Sequence, residues 1–219
     1  MNVPLPTTPA PGAPAHHRGQ DGHVTEATAG NARLTAVTGV LLLVLFAAEL
    51  VTEILGVRNV LTAHVVIGYL LTPPVLVKLG STGWRMGKYY LGDPAYRGRG
   101  APRPLLRILG PVVVLLTVTL VGSGILTYNG PHSVHTLALD VHKVTFYLWL
   151  VAVVCHVVPH FLEAVSLAAA DLLGRVGMRV PGAAARRALV VGALVIGAVL
   201  AVAFPGNAAH YIALFPKHH

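Results

Sequence analysis

Cysteine, charge and nucleotide-binding fingerprints are what this sequence lacks. A single cysteine, Cys155, excludes an intrachain disulfide and any CxxC metal site, and its place inside an apolar run reads as a reduced packing residue. Charged residues fill only 11% of the 219 positions, against roughly 25% in a soluble domain, so there is too little charge to coat a water-facing surface. No glycine-rich flavin or NAD fingerprint is present, and no repeat of fixed period. Residues 1–33 hold no apolar stretch behind a basic start, which argues against a secretory signal peptide. Rich in Pro, Ala, Thr and Gly, they are expected to form a disordered tail.

What is abundant is apolar. Hydrophobic residues make up 54% of the chain, and the mean hydropathy is +0.68. Five apolar segments, at about 34–55, 60–79, 105–128, 137–162 and 188–204, each approach the roughly 20 residues a helix needs to cross a bilayer. Helices are required there, because an open strand would leave backbone groups unpaired in hydrocarbon. The expected fold is all-α, an integral membrane bundle of about five transmembrane helices over residues 34–204. Residues 205–219 form a second tail.

The net charge of +8 does not point to nucleic acid, because the basic residues flank the apolar spans instead of lining one face. They read as topology determinants that also meet anionic lipid headgroups. Lys78, Arg85, Lys88, Arg97, Arg99, Arg103 and Arg107 lie between the second and third spans. Arg175, Arg179, Arg186 and Arg187 lie between the fourth and fifth, and Arg18 and Arg33 precede the first. Only Arg58, Lys143 and Lys217 fall on the other side. This bias predicts a multi-pass plasma-membrane protein with a cytoplasmic N-terminus and the 205–219 segment outside. Trp84, Tyr89, Tyr90 and Tyr96 follow the second span, as interfacial anchors do.

Polar groups at membrane depth are rare there and functional by default. His64 stands about one turn into the second span and His142 about one turn into the fourth, both near the outer ends of helices that run the same way. Two imidazoles at matched depth can take both axial positions of one haem iron. His156 follows His142 by fourteen residues, which returns to within about 40° of the same helix face after a rise of about 21 Å. On the second span the residue fourteen after His64 is Lys78, beyond Pro73 and Pro74, which are expected to interrupt the helix. A proton or substrate path, or plain packing, remains the alternative reading of these histidines.

The stretches HVVIGYLLTPPVLVKLGSTGWRMGKYYLGDPAYRGRG and LDVHKVTFYLWLVAVVCHVVPH resemble the bacterial cytochrome b561-like and cytochrome b/b6-type membrane haem proteins. The resemblance covers roughly residues 34–204 in helix layout. It implies a four-helix haem-binding core plus one helix, with b-type haem carrying electrons between a quinone or redox partner and another centre. Carried over by position, His64 and His142 match one haem's ligand pair and His156 one ligand of a second. Lys78 stands where the partner of His156 would be, so one haem b is expected.

Other residues support or compete with this reading. Arg58 and Lys143 are the basic residues near the outer end of the bundle, placed to pair haem propionates or to anchor at the interface. Gly68, Gly122 and Gly124 remove bulk where a porphyrin edge would lie, or else let helices approach. Glu49 and Glu53 reach toward the outer interface and offer a proton relay at a quinol site. His135 is a substitute ligand for His142, and His132, His135 and Asp140 a candidate zinc set without the usual spacing. Ala193 and Gly197 form a small-residue packing step. The chain is expected to be an electron-transfer subunit of an oxidoreductase rather than an enzyme alone. The competing class is a haem-free transporter or scaffold that uses the same His and Glu residues for protons or ions.

Overall fold

The computed structural model describes residues 15–97, 104–173, 180–204 and 211. Helix α1 (Ala15–Ile54) ends at Gly56, whose φ of 82° only glycine adopts without strain, and a short 3₁₀ turn (Val57–Asn59) leads into α2 (Leu61–Tyr90). Then follow α3 (Pro94–Arg97), α4 (Pro104–Asn129), α5 (His132–Val157), α6 (Phe161–Leu172) and α7 (Ala183–Ala203). Five stretches are long and apolar enough to cross a membrane: Thr28–Ile54, Leu61–Tyr90, Arg107–Asn129, His132–Leu172 and Ala183–Ala203. The chain is an all-α helical bundle. Its outward faces are aliphatic, with Leu115, Val151, Val199 and Val202 all exposed. Such continuous apolar surface belongs against lipid, and this is a multi-pass membrane protein.

The helices associate in two groups. Helix α1 packs on α2 and α6, and α2 packs on α7, whereas α4 and α5 pack on each other along their length. Small apolar clusters hold the first group: Ala36, Val37, Ala168 and Val190 join α1, α6 and α7, and Val65, Tyr69 and Ala201 join α2 to α7. Close backbone approaches between the α1–α2 pair and the α4–α5 pair are sparse. The gap between them is a cavity of about 1370 Å³, lined mainly from α1, α2, α4 and α5, with Phe161 and Ala164 of α6 and Tyr211 at its margins and no residue of α7 among those described. Helix α7 buttresses α2 from behind.

Three expectations need correction. The 1–33 tail is helical from Ala15 onward, and residues 1–14 lie outside the described set. Its last turns are held by burial: Thr28 and Arg33 are 3% and 6% exposed, and Arg33 Nη1 lies 3.7 Å from Asp171 of α6. Second, Pro73 and Pro74 do not interrupt α2, which runs on to Tyr90. The prolines leave the Tyr69 and Leu70 carbonyls without their usual donors, and the backbone of Leu70 is covered by Gly197 of α7. A Cβ on Gly197 would lie 2.6 Å from the Leu70 oxygen. Gly197→Ala is therefore expected to push α7 off α2 and destabilise the bundle by about 1–3 kcal/mol, read as a lower melting temperature in detergent.

Third, not all the basic residues counted as topology charges face water or headgroups. Arg186 is 9% exposed and donates through Nε to Asp171 Oδ2 at 3.2 Å, and through Nη2 to Oδ1. Arg187 Nη2 donates to the Asp171 carbonyl at 2.5 Å, so one buried carboxylate residue ties α1, α6 and α7 together. Asp171→Ala would leave the buried Arg186 guanidinium without the carboxylate it donates to, and a loss of about 3–5 kcal/mol of stability is the expected outcome. Trp84 and Tyr90 are exposed on the last turns of α2, where anchors were expected. Arg99, Arg103, Arg175, Arg179 and the 205–219 segment apart from Tyr211 lie outside the described residues.

Candidate functional site

At one end of the cavity His64 of α2 and His142 of α5 face each other. Their ring centroids are 6.2 Å apart and their planes cross at 88°. His142 lies deeper along its helix than hydropathy implied, because α5 starts at His132 and not at about residue 137.

Each ring is held through Nδ1. His64 Nδ1 lies 2.7 Å from Glu49 Oε2 and 2.8 Å from Thr52 Oγ1, both on α1. The Thr52 hydroxyl itself donates to the Glu49 carbonyl at 2.6 Å. His142 Nδ1 lies 2.9 Å from the Leu120 carbonyl and 3.3 Å from Ser123 Oγ, both on α4. A carboxylate and a carbonyl only accept, so Nδ1 carries a proton in both rings, and in the neutral form of each ring the lone pair is on Nε2. Among the described residues nothing bonds to either Nε2.

Two neutral imidazoles in this tautomer are a ready ligand pair for a metal between them. Bonds of about 2.0 Å from each nitrogen to one metal would set the two centroids about 6 Å apart, which is the spacing found. Among the described residues no group of three or more His, Cys, Asp or Glu side chains is gathered as a metal cluster.

One glycine makes the room. A Cβ on Gly124 would lie 2.9 Å from His142 Cε1 and 3.2 Å from its Nδ1, so only a bare backbone admits the ring. A Cβ on Gly68 would lie 3.4 Å from Glu49 Oε1, an ordinary contact, so Gly68 borders the carboxylate that holds His64 without being required by it. Gly122 has nothing within 4 Å of its Cβ position and does not line the cavity. Arg58 and Lys143 both line the His64 end. His132 and His135 line it too, but His135 Nε2 meets the Tyr211 hydroxyl at 2.7 Å, and Tyr211 stacks on Tyr128 with centroids 5.1 Å apart. Burial pushes the Tyr211 phenol above its ordinary range.

The far end of the cavity carries Lys78 and His156. Lys78 is committed to α1: its ammonium donates to the Thr35 carbonyl at 2.6 Å and sits where a Cβ on Gly39 would be, 2.9 Å away. His156 Nδ1 is buried with no hydrogen-bond partner among the described residues. The two ends are separated by Trp149, seven residues from both His142 and His156, with Phe46 of α1 packed on it at 4.5 Å. The Trp149 indole N–H donates to Thr117 Oγ1 at 2.9 Å, which fixes this divider on α4.

Sequence reasoning placed the histidines but missed what holds them. Thr52, Ser123 and the Leu120 carbonyl carried no signal, because each meets its histidine across a helix–helix boundary. Gly39 would have been found only by asking which residue seats the Lys78 ammonium. Comparison with family models, curated proteins and solved structures gives no match for this chain.

Proposed function

We propose that this chain is a membrane b-type cytochrome that binds one haem b between His64 and His142 and carries electrons between a quinone pool or redox partner and another centre. One observation carries the reading: two imidazoles 6.2 Å apart across a cavity, both anchored through Nδ1. That spacing and tautomer suit axial ligation through Nε2. The volume of about 1370 Å³ between two separated helix pairs leaves room for a porphyrin beside them.

Bound there, haem supplies a one-electron couple. The chain's own residues do the rest. His64 and His142 would hold the iron, Gly124 clears the space for the His142 ring, and the largely apolar lining disfavours water. Arg58 and Lys143 offer cations to propionates at the end nearer the aqueous face. By the distribution of basic residues the protein lies in the plasma membrane with its N-terminus cytoplasmic and the His64 end outermost. Its partner is then an extracytoplasmic redox protein or quinone. Lys78, engaged with Thr35, stands where a second ligand pair would need a histidine, and this favours one haem. His156 is then a packing residue and not a ligand.

A second reading has one observation of its own. Glu49 and His64, 2.7 Å apart beside the cavity, form a carboxylate–imidazole pair of the kind that passes protons in haem-free transporters. The visible spectrum separates the two. The cytochrome reading predicts a sharp b-type α-band on dithionite reduction of the purified protein, unchanged by carbon monoxide because both axial positions are filled. No α-band would leave the proton-path reading standing.

A further inference from the structure

The two ring anchors differ in charge. His142 donates to a backbone carbonyl, a neutral acceptor, at 2.9 Å. His64 donates to the carboxylate of Glu49 at 2.7 Å, and Thr52 closes a three-membered network by contacting both His64 Nδ1, at 2.8 Å, and Glu49 Oε2, at 3.2 Å. The Glu49 and His64 side chains are 14% and 24% exposed, so solvent screens this contact weakly. Gly68, one turn beyond His64, lies beside the other carboxylate oxygen, 3.4 Å from where its Cβ would be.

We infer that Glu49 is the positioning residue of the His64 ligand, and that it sets the haem potential by making His64 the more electron-rich of the two axial imidazoles. The inference rests on the cytochrome reading. A carboxylate that accepts from Nδ1–H fixes the tautomer and ring orientation and raises the basicity of Nε2. Added electron density and a nearby negative charge both favour the oxidised iron, so Glu49 lowers the potential. Glu53 supplies the control. It carries the same charge one turn further along α1 and lines the same cavity, but its carboxylate bonds to neither ring among the described residues.

The test is a redox titration of the haem-loaded full chain, followed through the α-band, with electron paramagnetic resonance of the oxidised form. Glu49→Gln keeps the shape and removes the charge. It is expected to retain the band, to shift the oxidised–reduced equilibrium about tenfold toward the reduced form, an upward move of about 59 mV for a one-electron couple, and to change the low-spin g values. Glu53→Gln is expected to shift the equilibrium less than about twofold. Glu49→Asp, which keeps the charge but shortens the reach, is expected to fall between wild type and Glu49→Gln. Should Glu49→Gln load no haem, Glu49→Asp carries the test, and an unmoved potential with unmoved g values there overturns the inference.

A retained band with an unmoved potential in Glu49→Gln overturns the inference and leaves the cytochrome reading intact. Equal shifts in Glu49→Gln and Glu53→Gln also overturn it, because the effect would then be a general field and not ligand positioning. An absent band in the wild-type protein removes both.

Discussion

Replacing either His64 or His142 with alanine is expected to abolish the reduced-minus-oxidised α-band, whereas His156→Ala leaves it in place. The expectation follows from ligand supply. Among the described residues each end of the cavity offers few groups that can bind a metal, and only at the His64 end do two imidazoles from different helices both line it. Removing one would leave a bound haem with a single protein ligand in a pocket whose walls are largely apolar. No neighbour is placed to substitute, because His135 is already engaged with Tyr211 at 2.7 Å. His156 has no partner across the cavity: Lys78 donates to Thr35, and the His160 ring, 6.1 Å away, lies four residues on in the same chain segment, half exposed and outside the cavity lining. Loss of about half the signal in His156→Ala would show that the far end holds a second haem.

Gly124→Val is expected to reduce haem occupancy at least about tenfold without touching a ligand, the scale seen when outer contacts of a metal ligand are disturbed. A Cβ at this position meets the His142 ring at 2.9 and 3.2 Å, so the imidazole must swing away. In doing so it gives up the Leu120 carbonyl, and with it the tautomer that leaves Nε2 free to bind. Gly122→Val, two residues away with nothing within 4 Å of its Cβ, is the matched control and should load haem like wild type. Haem content of the purified variants, normalised to protein, checks both. Equal loss in the two variants would mean that α4 tolerates no bulk here for reasons of packing, and that Gly124 has no special relation to His142.

How much of this was legible in the chain depends on which force set each feature. The five spans follow from hydropathy, because a bilayer demands long apolar runs and little else. Their ends do not: α1 reaches back through a polar stretch to Ala15, where tertiary burial of Thr28 and Arg33 overrides composition. Pro73 and Pro74 read as a break, yet α2 continues because α7 covers the backbone at Leu70 through Gly197. The candidate ligands His64 and His142 were visible because imidazoles are rare at membrane depth and helical spacing puts them at matched heights. Their anchors were not. Glu49 read only as one of two acidic residues near an interface, and nothing in a one-dimensional pattern aims its carboxylate at Nδ1 of a histidine on the next helix. Arg186 read as a topology charge, but its burial against Asp171 depends on how α6 and α7 meet.

The central claim is one haem per chain between His64 and His142, and its most direct test is a count. Pyridine haemochrome analysis of the purified full-length protein, divided by protein determined from amino-acid analysis, is predicted to give close to one haem b per chain, and none in the His64→Ala, His142→Ala double variant. No haem in the wild-type protein, or equal haem in the double variant, would contradict the account.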